Sequence, residues 1–440
     1  MFSLLATESS GLRFFTADQV LSPYVYVFYA SYLVALIFTP LLRIIAMHYN
    51  VIDRPDGIRK MHTSPVAYLG GVAVFLGWLA GLAISQHIVM HRADDGAGSV
   101  IINFAIVVSA CAIVMLGLWD DVLRMSPWKK IAGQVFAACI LLVFDFGRHS
   151  AWIFVGPLLL RTSVYFGWPV APGQVDLLYD HWVVYAASAV FVIALVVGCC
   201  NAANLMDGLD GLCGGVTAVV AAGFLFLALH LAMTSGGVDA NQDALRVVLG
   251  LALLGGVLGF VPFNFNPASI FMGDTGSMFL GYACAVMMML FANGGHFKWL
   301  LAAGVMFSLP LLDTALAFVR RWVNNRPLFS PDRFHFHHQL LARGFTVKQT
   351  VLISYALSLI FCILGAAIVY IRARYAVAIY LVVFGSVIVA AYKMGLVHER
   401  RTLEKPQPLS SDGTAAVAPG IEPGAVLELK DASASDGRPA

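Results

Sequence analysis

VVYAASAVFVIALVVGCC, Val183–Cys200, runs straight into NAANLMDGLDGL, Asn201–Leu212, and the join between the two decides how the chain is read. The first stretch carries no charge and approaches the length that a bilayer asks of a helix. The second sets two asparagines and two aspartates where a membrane span ends. Ionisable groups at such a place are costly unless a cation or a polar ligand uses them. The polar side chains recur at a uniform spacing of three: Asn201, Asn204, Asp207, Asp210. On a regular helix each step of three falls short of a full turn by roughly 60°, so Asn201 and Asp210 would face opposite ways. Gly208 and Gly211 lift that constraint, because glycine lets the backbone leave the helix. Taken by itself, such a motif also describes a polar, capped turn.

Composition extends the membrane reading to the whole chain. Of 440 residues, 60% are apolar and 12% charged, and the mean hydropathy is +0.81. Soluble domains carry about 25% charged residues. The fold class expected is an all-α polytopic membrane protein. A net charge of +2 gives no reason to expect a nucleic-acid partner. The seven cysteines lie in or against apolar runs without a CxxC pair, which fits buried free thiols better than disulfides or zinc ligands. The N-terminus lacks a charged n-region and a small-residue cleavage site, so no cleaved signal peptide is expected.

Candidate spans are 24–46, 67–90, 100–119, 131–145, 183–200, 212–233, 245–262, 276–292, 299–319, 351–371 and 375–395, about eleven in all. The apolar segment 151–170 is read as a loop or hairpin because Pro157, Arg161, Pro169 and Pro172 interrupt it. Lysine and arginine concentrate in the loops after odd-numbered spans and in the C-terminal tail. The positive-inside rule then places the N-terminal segment 1–23 in the periplasm and the tail 396–440 in the cytoplasm, either side of a transmembrane domain at 24–395. From 403 onward the tail is rich in Pro, Ala, Ser, Gly and Asp and reads as disordered.

This topology gathers five polar clusters on the cytoplasmic side: Asp53–Pro65, Asp120–Lys130, Asn201–Gly211, Asn264–Thr275 and Arg320–His338. One-sided clustering points to chemistry on a cytosolic substrate. A flippase or transporter would more often show internal repeats and charged groups within its spans. In LGLWDDVLRMSPWKK, Asp120 and Asp121 are adjacent, hence about 100° apart if helical, and are expected to do different jobs. The plainer reading is an acidic pair balanced by Arg124 and Lys129. In FNFNPASIFMGDTGS, Asp274 sits between Gly273 and the start of a span, a helix N-terminus that suits an anionic phosphate or a simple N-cap. SPDRFHFHHQL packs Asp332, Arg333, His335, His337 and His338 together; zinc would want a closed set of nitrogen or sulfur ligands, and no cysteine is near. DRPDGIRKMHTSPVAYLGG adds Lys60, His62 and the Gly70–Gly71 pair.

The succession DDVLR, NAANLMDGLDGL, NPASIFMGDTGS and SPDRFHFHH, in this order over about residues 24–395, resembles the polyprenyl-phosphate N-acetylhexosamine-1-phosphate transferases, and within them the WecA-type branch. The peptidoglycan branch, phospho-N-acetylmuramoyl-pentapeptide transferase, typically carries GTPTMGG and an HHHFE-like run. Here Thr63–Gly71 reads TSPVAYLGG and the histidines read His335-Phe336-His337-His338.

The resemblance implies transfer of GlcNAc-1-phosphate, or a related N-acetylhexosamine-1-phosphate, from its UDP-sugar to undecaprenyl phosphate, with UMP leaving. It further implies magnesium, or manganese in its place, held by Asp274 with Asp120 or Asp121 nearby. Asp120 and Asp121 would orient or deprotonate the lipid phosphate. Asn201, Asn204, Asp207 and Asp210 would contact uridine, sugar or the metal's surroundings. Arg333, His335, His337 and His338 would hold the diphosphate and sugar, and Lys60 a further phosphate. A homodimer in the bacterial inner membrane, with its active site facing the cytoplasm, is also implied. UDP-GlcNAc, UDP-GalNAc and 6-deoxy-N-acetylated sugars share the phosphate machinery, so these motifs do not choose among them.

Overall fold

One helix, Gly273–Ala292, is buried at every residue from Thr275 to Ala292, and the rest of the bundle is arranged around it. The computed structural model describes residues 16–53, 65–92, 102–165, 181–234, 240–292, 297–325, 327 and 335–393. In chain order the helices are α1 (Ala17–Leu21), α2 (Val25–His48), α3 (Gly70–Arg92), α4 (Phe104–Leu123), α5 (Pro127–Val143), α6 (Trp152–Tyr165), α7 (Trp182–Met206) and α8 (Leu212–Thr234). They continue with α9 (Ala240–Asn264), α10 (Gly273–Ala292), α11 (Phe297–Met306), α12 (Ser308–Val323), α13 (Phe336–Ala342), α14 (Val347–Ile368) and α15 (Ala373–Lys393). A two-residue hairpin, β1 (Ile52–Asp53) with β2 (Val66–Ala67), is the one sheet among the described residues.

The all-α membrane architecture is as expected, with a different division into spans. Among the described residues eight helices are long and apolar enough to cross a membrane, or nine if the pair α11 and α12 counts as one span. That pair is bent by 76°. Pro310 stands in the first turn of α12, where its missing N–H removes nothing from that helix but cannot continue the one before it. The expected span at 131–145 is instead α5, only 17 residues long and opening on Lys129 and Lys130. The last expected span is apolar over Arg374–Ser386. The segment read as a loop or hairpin is in part helical: α6 carries Pro157 in its interior. The expected N-terminal segment and tail fall mainly or wholly outside the described residues.

α3, α4 and α7 pack on α10, and they approach it at backbone distance. A Cβ on Gly71 would strike Gly276, one on Gly117 would strike Thr275, and one on Gly281 would strike Cys199 and Cys200. Small residues let membrane helices close up in this way, since lipid supplies no hydrophobic drive between them. Both ends of α10 are held by opposite charge. At its C-terminus the buried Arg246 donates from Nε and Nη2 to Leu290 O, at 2.9 and 2.7 Å, while Nη1 pairs with Asp243 at 2.7 Å. At its N-terminus stands Asp121. Anion at the N-terminus and cation at the C-terminus both complement the helix dipole.

The hairpin fixes the approach to that N-terminus. Phe271 N–H donates to Ala67 O at 2.8 Å, Gly70 N–H to Phe271 O at 3.0 Å, and Gly71 N–H to Met272 O at 2.9 Å. The strand leading into Gly273 is therefore stitched to the start of α3.

Candidate active site

The two adjacent aspartates at the end of α4 turn to different partners. Asp121 accepts from Asp274 N–H at 2.8 Å through Oδ1, and from Thr275 N–H at 3.1 Å and the Thr275 hydroxyl at 2.6 Å through Oδ2. Both oxygens thus cap the first turn of α10. The same bonds take up the Asp274 and Thr275 amides in the first turn of α10. Asp120 is buried, accepts from Met125 N–H at 2.6 Å and forms an ion pair with Lys130 Nζ.

Lys130 also reaches Asp274 Oδ2 at 2.6 Å. Asn204, near the end of α7, donates Nδ2 to Asp274 Oδ1 at 2.6 Å and lies 3.0 Å from Ser277 Oγ. Four elements thereby converge on one carboxylate: α4 and α5 through Lys130, α7 through Asn204, and α10, which carries it. Read from sequence, Lys130 counts only toward topology. Nothing local marks it as the ammonium between Asp120 and Asp274.

The polar motif after Val183–Cys200 divides by position. α7 continues two turns into it, to Met206. Asn201 therefore turns inward, where its Nδ2 meets Gln134 Oε1 at 2.7 Å and Val197 O at 2.8 Å. It braces α7 against α5 and is not brought to Asp274. Asp207 is the C-cap of α7, and among the described residues no hydrogen bond reaches its carboxylate. Burial, reinforced by the Asp274, Asp121 and Asp210 carboxylates, pushes the Asp207 carboxyl well above the ordinary range. Asp210 accepts from Asn266 Nδ2 and Ala268 N–H, each at 3.0 Å, and so fixes the loop before α10. Gly211 has a φ of +79° and gives its N–H to Asn264 Oδ1 at 3.1 Å and its carbonyl to the Tyr355 hydroxyl at 2.5 Å. Its left-handed backbone is what brings the turn back to α9 and α14.

The histidine run opens α13. His335 and His337 are buried, with their rings parallel at 5.8 Å, and His338 lies 4.3 Å from His337 between centroids. His337 Nε2 sits against Gly208, where an added Cβ would strike it. That nitrogen is buried without a hydrogen-bond partner in the described structure. Burial and the neighbouring His338 bring the His337 pKa down to about 3, so the ring is neutral. The histidines thus abut the turn that carries Asp207. Lys60 and Arg333 lie outside the described residues. Among the described residues no set of three His, Cys, Asp or Glu side chains is arranged to hold a metal ion.

The centre is an excess of carboxylates, Asp120, Asp121, Asp207 and Asp274, relieved in part by Lys130 and walled by neutral imidazole. Such an arrangement suits a cation and the oxygens of a phosphate ester. Comparison with known proteins agrees with this chemistry. Residues 103–292 match the family model described as Glycosyl transferase family 4. A probable undecaprenyl-phosphate N-acetylglucosaminyl 1-phosphate transferase of Bacillus subtilis is 31% identical over 351 residues, covering 79% of this chain and 85% of the relative. A decaprenyl-phosphate N-acetylglucosaminephosphotransferase of Mycobacterium tuberculosis is 31% identical over 330 residues, 71% of this chain and 74% of the relative. A phospho-N-acetylmuramoyl-pentapeptide-transferase of Oceanobacillus iheyensis is 28% identical over 353 residues, 78% of this chain and 95% of the relative. Identity and coverage of this extent, over motifs that meet in one site, make the chain a member of the polyprenyl-phosphate N-acetylhexosamine-1-phosphate transferases, a family of multi-pass membrane enzymes.

Proposed function

We propose that this enzyme transfers an N-acetylhexosamine-1-phosphate, GlcNAc-1-phosphate in the first instance, from its UDP-sugar to undecaprenyl phosphate at the cytoplasmic face of the bacterial inner membrane. The observation that carries the reading is that Lys130 and Asn204 both bond Asp274 at the head of the buried helix α10, with Asp207 capping the helix that carries Asn204. A lipid phosphate oxygen attacks the β-phosphorus of the UDP-sugar. The bond from that phosphorus to the bridging oxygen breaks, and UMP leaves with the oxygen. Little covalent work falls to the protein, so positioning and charge carry the catalysis.

A phosphate monoester has a second pKa near 6, and the acceptor is already largely dianionic at neutral pH. Asp120, tied to Lys130 and Met125 N–H, therefore needs no base role and serves to hold Lys130 against Asp274. Magnesium fits the donor set: it binds through one or two carboxylates plus substrate oxygens and water, and Asp207 is a carboxylate that no described group neutralises. Asp274 and Asp207 would hold it, with Asn204 orienting Asp274. When bound it supplies the positive charge that the diphosphate oxygens need as UMP departs.

The GlcNAc-1-phosphate branch is favoured over the peptidoglycan branch by the names of the relatives at 31% identity and by TSPVAYLGG and His-Phe-His-His where the peptidoglycan enzymes differ. The test uses purified enzyme, undecaprenyl phosphate and either UDP-GlcNAc or the UDP-muramoyl-pentapeptide, with UMP measured as product. Release of UMP with UDP-GlcNAc, stopped by chelating magnesium, supports the reading. Turnover of the pentapeptide donor only would assign the chain to the other branch.

A further inference from the structure

Asp313 lies within the expected ninth span, in LLDTALAF of α12, and none of the motifs includes it. Its side chain is buried. Oδ2 is 3.0 Å from His335 Nδ1, and Oδ1 accepts the Phe336 N–H at 2.8 Å. We infer that Asp313 is a positioning residue of the transfer reaction, one that fixes the ring and the protonated nitrogen of His335 and anchors the turn on which the histidines enter the site.

The chemistry follows from what a carboxylate can do. An ionised carboxylate accepts hydrogen bonds and donates none, so the proton on this contact belongs to His335 Nδ1. His335 Nε2 is then the nitrogen left to meet substrate, as an acceptor in the neutral ring and a donor in the charged one. The second bond acts on the backbone. By holding Phe336 N–H, Asp313 ties the first residue of α13 to α12, and α13 carries His337 against Gly208. An ionisable residue inside an apolar helix is expensive, and here both of its oxygens are directed at one turn of the site.

This inference rests on the proposed donor-binding role of the histidines, and its test separates the two. In protein carrying 15N-histidine, the His335 signal, assigned by its loss in His335→Gln, should show the proton on Nδ1. In Asp313→Asn the carboxamide presents an N–H to His335, and the proton should move to Nε2. With UDP-GlcNAc as donor, Asp313→Asn should lower kcat/KM by about tenfold to a hundredfold, the size of a lost charge-assisted hydrogen bond. The KM for undecaprenyl phosphate should hold within about twofold. The double variant Asp313→Asn with His335→Ala should be no slower than His335→Ala, because residues acting as one unit are not additive. A proton on Nε2 in the unaltered protein, additive losses in the double variant, or wild-type donor kinetics in Asp313→Asn would each overturn the assignment. If the unaltered protein transfers nothing from UDP-GlcNAc, the functional reading fails while the spectrum still decides the role of Asp313.

Discussion

Replacing Asp121 by alanine should unfold this enzyme more readily than it disables it, whereas the same change at Asp120 should do the reverse. Asp121 receives three hydrogen bonds from the first turn of α10, two from backbone amides and one from the Thr275 hydroxyl. Alanine leaves all three donors without an acceptor, each at roughly 1–3 kcal/mol if buried, and forfeits the charge that complements the helix dipole. Asp121 lies at the end of α4, where water can recover part of that loss, which brings the expected cost to about 3–5 kcal/mol. Asparagine keeps one acceptor and should cost about half as much. In Asp120→Ala, Lys130 still has Asp274 as a partner, so the fold loses less while the pairing that orders the site is broken. The assay follows thermal loss of monodisperse protein in detergent at one fixed heating time, since unfolding of such proteins is rarely reversible, beside UMP release at the permissive temperature. An Asp121→Ala protein that melts within about 1 °C of the unaltered enzyme, with Asp120→Ala the less stable of the two, would refute the division of roles.

Three further outcomes follow from the same geometry. Asp207→Asn should abolish turnover yet raise the melting temperature above neutral pH in the absence of magnesium and donor. A carboxyl raised in the folded state binds more protons there than in the unfolded chain, so its stability is lost as pH rises, and asparagine removes that loss; an unchanged pH dependence of melting would contradict it. Gly208→Ala should cut turnover about tenfold or more by driving a methyl group into His337 Nε2, with part of the rate restored when His337→Ala is added, and a wild-type rate in the single variant would show that the two are not apposed in the working enzyme. Cysteines introduced at Ser126 and Asn325 should react in intact cells with a membrane-permeant maleimide only. Labelling of either by an impermeant reagent would reverse the topology.

The architecture was largely legible because its signal is chemical and local: charge-free runs of bilayer length separated by polar clusters at one face. The site was legible as a set of clusters but not as a set of contacts. Asn201 and Asn204 read alike in sequence, and only the continuation of α7 to Met206 sends one to Gln134 and the other to Asp274. The roles of Asp120 and Asp121 could be told apart by angle but not assigned, since the choice depends on where α10 begins. Lys130 was indistinguishable from a topogenic charge because its partner Asp274 is 144 residues away. Asp313 stood in plain view as a carboxylate inside an apolar run, and the rule that intramembrane charges have a use was the signal that could have found it. The break at Phe307 was marked by Pro310, three residues beyond, in a stretch otherwise apolar enough to pass as one span.

The central claim is that a sugar-1-phosphate moves and not a sugar alone, and the most direct measurement follows the β-phosphorus. With UDP-GlcNAc labelled at that atom, purified enzyme and undecaprenyl phosphate, the label should pass into the organic-extractable lipid in equal amount to the UMP released. Label that stays in the aqueous phase as UDP, with GlcNAc in the lipid, would mean that the sugar–oxygen bond breaks and would contradict the account.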